Sequence, residues 1–197
     1  LGTISTMSLS YDAKTIYFAY ADLSKFTDGT KPIKRTGEGF GDYSADYVTN
    51  FMKEEKGKFH LYKMDLATRE ITQLTTGCDD DFDPVELPDG GIVFMSTRRG
   101  GFGRCHGSWE PLAVHTLHRL DPDGKITCLS WHETNEWQPS ITHDGRIIYC
   151  RWDYVDRDAA RHHGLLLSNP DGTGAVSLFG NYTVAICALY QPKSIPG

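Results

Sequence analysis

The sequence predicts an all-β protein, a β-propeller of four-stranded antiparallel blades, with about three blades present and the propeller incomplete. The first observation is a phrase that occurs three times, a tight turn centred on Asp and then a run of β-branched and aromatic residues. The second is another turn rich in Asp, Pro or Gly that follows each copy after one more strand. The copies of the first phrase are Leu9–Phe18, Glu86–Phe94 and Ile141–Tyr149, and those of the second are 64–68, 120–124 and 168–172.

Each repeat divides into four strands joined by these turns, most clearly in blade two at about 81–131. Its strands are expected at 83–87, 91–97, 115–121 and 125–131. Blade three follows at about 137–180, and 184–197 has the composition of the start of a further blade. Blade one covers about 8–75 and contains an insertion at 21–58, in which 43–56 is expected to form a short helix.

The bulk composition limits the function classes. Apolar residues make up 39% of the 197 residues, which is enough for a buried core, and the net charge of −6 argues against nucleic acid as a partner. No apolar run approaches the ~18 residues of a membrane span. Closed propellers need about 4–8 blades, so the remaining blades of a larger protein are expected partners. The chain begins at Leu1 without Met, and we therefore expect it to be cut from something longer.

The five cysteines do not form a Cys-x-x-Cys pair, which argues against a zinc ribbon or a haem c attachment motif within this chain. Cys128 and Cys150 lie in strand patterns, where buried and unreactive thiols are typical. Cys105 instead lies in an irregular loop and is a candidate for chemistry.

The long connections are expected to lie at one end of the propeller. In an up-and-down blade, the loop between the second and third strands and the link to the next blade emerge together. The tight Asp turns lie at the opposite end. Functional residues are often carried on loops held by a rigid scaffold. The connections at the loop-rich end are 21–58, 98–113 and 151–163 within blades, and 76–83 and 131–136 between blades.

The loop at 98–107 is rich in glycine and arginine and contains Cys105. It is not a phosphate-binding loop, because no Lys-Ser/Thr follows it. Its glycines allow the backbone to approach a ligand closely. Arg98, Arg99 and Arg104 are suited to carboxylates such as haem propionates. The alternative is a loop without a functional role.

The link at 131–137 is dense in polar and aromatic groups. His132 is a candidate general base or ligand, with Glu133 or Glu136 as its orienting partner. The alternative is a structural hydrogen-bond cluster between blades. The pair His162 and His163 is a weak metal candidate, since two ligands are too few, and no other metal site is predicted. The acidic run at 78–83 lacks the spacing of a calcium loop.

Several long strings resemble a known family. The repeated Asp-turn phrase is similar to the TolB-type (PD40) propeller repeat. More narrowly, about residues 60–197 resemble the propeller domain of the hydrazine synthase alpha subunit and its relatives. The strings that carry this resemblance are 87–90, 96–101, 104–105, 132–137 and 151–157.

The resemblance implies an extracytoplasmic, multidomain redox protein in which the propeller packs against haem c domains. It implies that Cys105 is an additional covalent anchor for a haem and that His132 lies near that haem. As a candidate orienting partner of His132, Glu133 is a further catalytic candidate. The Cys-x-x-Cys-His motif would then lie outside this chain. The alternative is a non-catalytic module that binds a protein or a glycan. The residues expected to contact haem are Cys105, Arg98, Arg99, Arg104 and Trp137.

Overall fold

The computed structural model describes residues 1–24, 57–105, 113–156, 160–181, 183 and 186–195, and all of its named elements are strands. Twelve strands form three separate four-stranded antiparallel sheets that do not close into a ring. The prediction of an incomplete all-β propeller is therefore confirmed.

Blade one contains β1 (Gly2–Leu9), β2 (Thr15–Asp22), β3 (His60–Asp65) and β4 (Ile71–Gln73). Blade two contains β5 (Asp81–Glu86), β6 (Ile92–Ser96), β7 (Thr116–Leu120) and β8 (Ile126–Cys128). Blade three contains β9 (Glu136–Ile141), β10 (Ile147–Trp152), β11 (His163–Ser168) and β12 (Val176–Phe179).

Blade one begins earlier than the boundary near residue 8 that the sequence predicts, because β1 starts at Gly2 and pairs with β2 from Gly2↔Asp22 onward. Its small polar residues, such as Thr3 and Ser5, lack the apolar alternation that marks a strand. The predicted helix at 43–56 lies outside the described residues.

Two apolar layers hold the blades together, one at each junction. Between blades one and two, the aromatic ring of Phe94 and its neighbour Ile92 pack against Tyr17, Ala19 and Leu61. Between blades two and three, the members are Val93, Met95, Leu117, Ile147, Tyr149 and Leu166, together with Leu87. Neighbouring residues of one strand point to opposite faces. Each central blade therefore contributes alternate side chains to two different layers.

The inner strands share a bulge at equivalent positions, which links each blade to the next. Asp83 and Gln138 both precede a proline and have φ of 54° and 52°, in the left-handed region. The backbone N–H of Asp83 donates to Thr6 Oγ1 at 2.8 Å, and that of Gln138 donates to Asp83 Oδ2 at 3.0 Å. In the tail, Gln191 also precedes a proline, has φ of 52° and donates its N–H to Gln138 Oε1 at 2.7 Å. We call this series the inner-strand ladder.

The tail therefore takes the place of the start of a fourth inner strand. The N–H of Leu189 donates to the carbonyl of His163 at 3.1 Å. The N–H of Asp81 and of Glu136 make the same bond to Phe59 and His115, at 2.7 and 3.0 Å. In the described part of the tail, pairing is limited to an isolated bridge of Ala188 with His163.

The two ends of the propeller differ in character. At the short-turn end, Arg119 bonds Asp89 and Asp121 at 2.7 and 2.6 Å and fixes two tight turns of blade two. At the other end, the loop after β6 contacts the link before β9, since the N–H of Arg104 donates to the Glu133 carbonyl at 3.1 Å. None of the described segments forms a helix with the length and apolar character needed to cross a bilayer.

Candidate functional site

Arg104 connects three segments at the loop-rich end between blades two and three. Its Nη1 donates to Glu133 Oε1 at 2.9 Å and to the Tyr154 carbonyl at 3.1 Å. Its guanidinium also lies over the Tyr154 ring, 5.4 Å from the centroid. The loop after β6, the link before β9 and the loop after β10 therefore meet here. We call this group, Arg104, Cys105, His132, Glu133 and Tyr154, the rim cluster.

Cys105 lies in the rim cluster with an exposed side chain, directly after Arg104. All five cysteines are free thiols. Burial raises the pKa of the Cys150 thiol to about 11 and also raises the pKa of Cys128, as expected for unreactive core thiols. Cys105 therefore combines an accessible thiol with a place in the chain directly after Arg104, whose N–H bonds to Glu133.

The His132 ring is fixed by a hydrogen bond to the end of β10. Its Nε2 donates to the carbonyl of Trp152 at 2.8 Å, and the Thr134 hydroxyl donates to the same oxygen. Burial lowers the pKa of His132, so the ring is neutral near pH 7. Because Nε2 carries the proton in this bond, Nδ1 carries the lone pair and can accept a proton or bind a metal.

The orienting partner of His132 differs from the sequence prediction. The carboxylate beside its ring is Asp153, whose Oδ1 lies 3.6 Å from Nε2. Glu133 is paired with Arg104 instead, and Glu136 accepts from Leu117 N–H and Ser130 Oγ at 3.0 and 2.8 Å. Both glutamates are therefore held by other partners, and the hydrogen bond of the His132 ring goes to the Trp152 carbonyl instead.

Arg98 and Arg99 do not join the rim cluster. Arg98 forms a two-point pair with the buried Asp81, at 2.9 and 2.7 Å, and donates to the Thr76 carbonyl at 2.7 Å. It belongs to the junction of blades one and two. Arg99 donates to the Gly100 carbonyl of its own loop at 3.0 Å.

Trp137 lies in a row of rings that crosses the start of blade three. Its ring centroid is 5.7 Å from that of His115 and 5.7 Å from that of His163. Trp152 stacks on the other side of His163 at 5.6 Å and 14°. With rings on both sides, Trp137 serves packing, and we do not place it against a cofactor.

The two adjacent histidines face different surroundings. His163 Nδ1 donates to the Cys187 carbonyl at 3.2 Å, while the His162 carbonyl accepts from the N–H of Asp153 at 2.7 Å. Within the part of the chain that the structure describes, no group of three or more His, Cys, Asp or Glu side chains is arranged to hold a metal ion.

Two residues of the rim cluster have the chemistry that a covalently attached haem would need. Cys105 has an exposed thiol, and His132 uses Nε2 for its bond to the Trp152 carbonyl, which leaves Nδ1 as its basic nitrogen. The arginines fit less well, because Arg98 and Arg104 already pair with Asp81 and Glu133. The haem proposal therefore depends on Cys105 and His132.

The architecture is that of a TolB-type β-propeller, which the chain resembles in fold. TolB from Agrobacterium tumefaciens matches with a TM-score of 0.56 and 20% identity, over 90% of this chain and 49% of that chain. Hydrazine synthase of Kuenenia stuttgartiensis matches with a TM-score of 0.65 and 14% identity, over 91% of this chain and 26% of that chain. An oligogalacturonate lyase from Vibrio parahaemolyticus matches with a TM-score of 0.53 and 14% identity, over 88% of this chain and 40% of that chain.

These similarities establish the fold alone. The chain spans less than half the length of each of these three solved structures. No protein-family model and no curated protein matches the sequence.

The sequence places Asp153 and Tyr154 at the loop-rich end without giving their partners, and it does not predict the inner-strand ladder. The first two stand in a charged loop with no periodic signal that gives side-chain direction. The ladder does have a signal. Asp83, Gln138 and Gln191 each stand between an aromatic residue and a proline, in Phe-Asp-Pro, Trp-Gln-Pro and Tyr-Gln-Pro.

Proposed function

We propose that this chain is the propeller portion of a larger, extracytoplasmic, haem c-associated redox protein of the hydrazine synthase alpha type. The loop-rich end would line a haem or active-site pocket. The observation that carries the proposal is the rim cluster, in which the exposed Cys105 is held next to the His132–Glu133 link by Arg104. Similarity in fold to hydrazine synthase and the resemblance of the strings at 87–157 support it.

In this proposal Cys105 is the covalent anchor of the haem, and His132 is the proton-transfer group. The haem would supply one-electron redox chemistry. His132 is neutral near pH 7 and can accept a proton at Nδ1, while its Nε2 bond to Trp152 holds the ring in place. Glu133 acts through Arg104 by holding the loop that carries Cys105.

The test uses the full-length protein isolated from its native source. We expect a Soret band and a Cys105 peptide whose mass includes a haem. Cys105→Ala should remove the haem from that peptide, whereas Cys187→Ala, which removes another exposed thiol, should leave it unchanged. Absence of a Soret band together with an unmodified Cys105 peptide would refute the proposal.

His132 has a separate test. Replacement by Gln keeps a donor for the Trp152 carbonyl and removes the proton acceptor at Nδ1. We expect His132→Gln to retain the Soret band and to lose most of the turnover of the full-length protein. The pH profile of the remaining turnover should no longer show a group with a pKa below 6.5. Unchanged turnover would exclude His132 from proton transfer.

A second candidate is a non-catalytic platform for a protein or a glycan, and the exposed aromatic residues of the loops favour it. Trp131, Phe102 and Tyr190 present large apolar side chains to solvent. Such side chains are frequent anchors in binding surfaces. Loss of partner capture in Trp131→Ala, together with a Cys105 peptide that carries no haem, would select this function over the first.

A further inference from the structure

Five aromatic rings form a continuous series from the rim cluster to the tail. The Tyr154 ring meets that of Trp152 edge-on at 5.7 Å between centroids, and Trp152 stacks on His163 at 5.6 Å. His163 lies 5.7 Å from Trp137, which lies 6.3 Å from Tyr190. All of these spacings are those of rings in contact. We call Tyr154, Trp152, His163, Trp137 and Tyr190 the ring series.

The two ends of the ring series have different surroundings. At one end, the Arg104 guanidinium lies 5.4 Å from the centroid of the Tyr154 ring, and Arg104 directly precedes Cys105 in the chain. At the other end, Tyr190 is 55% exposed. The three rings between these ends are partly buried. The ring series therefore joins the rim cluster to solvent across the start of blade three.

The equivalent positions of blade two carry side chains that are not readily oxidised. Phe82 has the position of Trp137, since both are the second residue of an inner strand and precede a ladder residue. Thr97 has the position of Trp152, since the N–H groups of both make the same bond to the link before the inner strand. The scaffold therefore does not require tryptophan at either position, and the oxidisable rings are concentrated at the junction that contains the rim cluster.

The composition of the ring series suits electron transfer. Tryptophan and tyrosine are the aromatic side chains that lose one electron most readily, and short steps between neighbouring rings are fast because the rate falls steeply with distance. An oxidised tyrosine also releases the proton of its phenol. An exposed tyrosine such as Tyr190 can give this proton to solvent. The His163 ring is harder to oxidise and bridges Trp152 and Trp137 by its contacts with both.

We infer that the ring series transfers one-electron oxidising equivalents from the rim cluster to the surface at Tyr190. A one-electron oxidant at the rim gains an electron from the series, while Tyr190 loses an electron to Trp137 and its phenolic proton to solvent. An external thiol then returns one electron and one proton to Tyr190, and two of the resulting thiyl radicals combine to a disulfide. The inference rests on the proposed function for the identity of the oxidant, which is the haem at Cys105.

The test places a photo-oxidant at the rim of the full-length protein. Asp156 is exposed and follows Tyr154 by two residues, so that Asp156→Cys provides a thiol for a ruthenium polypyridyl label whether or not Cys105 carries a haem. Cys187→Ala removes the exposed thiol of the tail from the same protein. A laser flash with an oxidative quencher then generates ruthenium(III) at the rim. We expect a tyrosyl radical, which electron paramagnetic resonance detects in samples frozen after the flash.

Two variants of the labelled protein locate this radical. Tyr190→Phe keeps the ring and removes the phenol, so that a tryptophan radical should replace the tyrosyl radical. Trp152→Phe keeps a ring beside His163 and should lose most of the tyrosyl signal. Trp131→Phe is the matched control, because it changes an exposed tryptophan outside the ring series, and it should leave the signal unchanged. Since Tyr190 is exposed, its variant tests the inference even if Trp152→Phe destabilises blade three.

A tyrosyl signal that persists in either Tyr190→Phe or Trp152→Phe would overturn the inference, as would the absence of a radical in the labelled parent. Loss of the signal in Trp131→Phe would assign the transfer to another route and would also overturn it. The photo-oxidant replaces the haem in this experiment. An unmodified Cys105 peptide therefore refutes the proposed function alone, and a failed radical test refutes the electron transfer alone.

Discussion

The two blade junctions place an acid at the same position and stabilise it in different ways. Asp81 and Glu136 both begin an inner strand, are fully buried and donate their N–H groups to the equivalent carbonyls of Phe59 and His115. The Asp81 carboxylate accepts hydrogen bonds from Nε and Nη2 of Arg98 and from the Ser96 hydroxyl. Glu136 receives one backbone N–H and one hydroxyl.

The difference arises one strand away. The equivalent of Arg98 in blade three is Asp153, as the matching bonds of the preceding residues, Thr97 N–H to Asp80 and Trp152 N–H to Asn135, show. Asp153 pairs with Arg151 at 2.8 Å and so draws that cation away from Glu136. The second junction has the same kinds of charge as the first, in an order that leaves Glu136 without an ion pair among the residues that the structure describes.

The protonation states follow from this arrangement. Burial alone would raise the pKa of Asp81, but the His60 ring 3.8 Å away and the bonds from Arg98 and Ser96 hold it below its usual range, so the acid is ionised. Burial raises the pKa of Glu136 to about 7 and lowers that of His115 to about 4. A buried acid can thus be stabilised by a cation or by its own proton. The ion pair of Asp81 loses its stabilisation at acid pH, whereas the protonated Glu136 loses its own as the pH rises through about 7.

The largest expected effect is at the first junction, in Arg98→Met. It leaves Asp81 buried without its cation, and we expect a loss of about 3–5 kcal/mol in the free energy of unfolding. Denaturant unfolding measures it. Arg104→Met, which removes the exposed pair with Glu133, is the control and should leave the unfolding midpoint within error. Similar effects of both variants would show that the Asp81 pair is energetically no different from a surface pair.

The second junction should respond to alkaline pH through Glu136. Its folded pKa lies above the unfolded value of 4.5, so its protonated form stabilises the fold below pH 4.5 and this stability is lost as the pH rises through about 7. Glu136→Gln keeps a neutral side chain at every pH. We expect the variant to exceed the parent by about 3 kcal/mol at pH 8 and to match it near pH 4.

A constant difference between Glu136→Gln and the parent from pH 4 to 8 would contradict this account, because a purely structural effect does not titrate. Asp81→Asn is the informative counterpart. It should lose stability at both pH values, since its parent is ionised throughout that range and pairs with Arg98.

The loss of stability of the second junction at acid pH should depend on His115. Its folded pKa of about 4 lies below the unfolded value of 6.5, so the fold loses stability as the pH falls below 6.5. His115→Phe introduces the residue found at the equivalent position, Phe59. We expect the difference in unfolding free energy between pH 8 and pH 5 to shrink by about 2 kcal/mol. If this difference does not change, other buried histidines, such as His118, account for the loss of stability at acid pH.

Much of the fold follows from local sequence signals. Turns such as Pro88-Asp89-Gly90 and the apolar runs after them define blades two and three, because turn chemistry and strand alternation act over a few residues. The sequence does not predict β1, because Thr3, Ser5 and Thr6 are polar and the segment has no apolar alternation. The pairing of the tail with His163 could be expected from Tyr190-Gln191-Pro192 once the bulge is known.

The site was harder to predict than the fold. Grouping all long connections at one end correctly brings Arg104 and Cys105 next to Glu133. It does not predict which arginine is already paired, because Asp81 reaches Arg98 from another strand and no local pattern records that contact. Side-chain partners between blades depend on packing at atomic distances, whereas the blades themselves depend on periodicity.

The inner-strand ladder also has a direction along the chain. At each described step, a backbone N–H bonds to a side-chain oxygen of the blade that precedes it in the chain, as Gln191 does with Gln138. Ribosomal synthesis makes the N-terminal part available first. The oxygen acceptor of each step is therefore present before the N–H that binds it, so that a finished blade can act as the template for the next one.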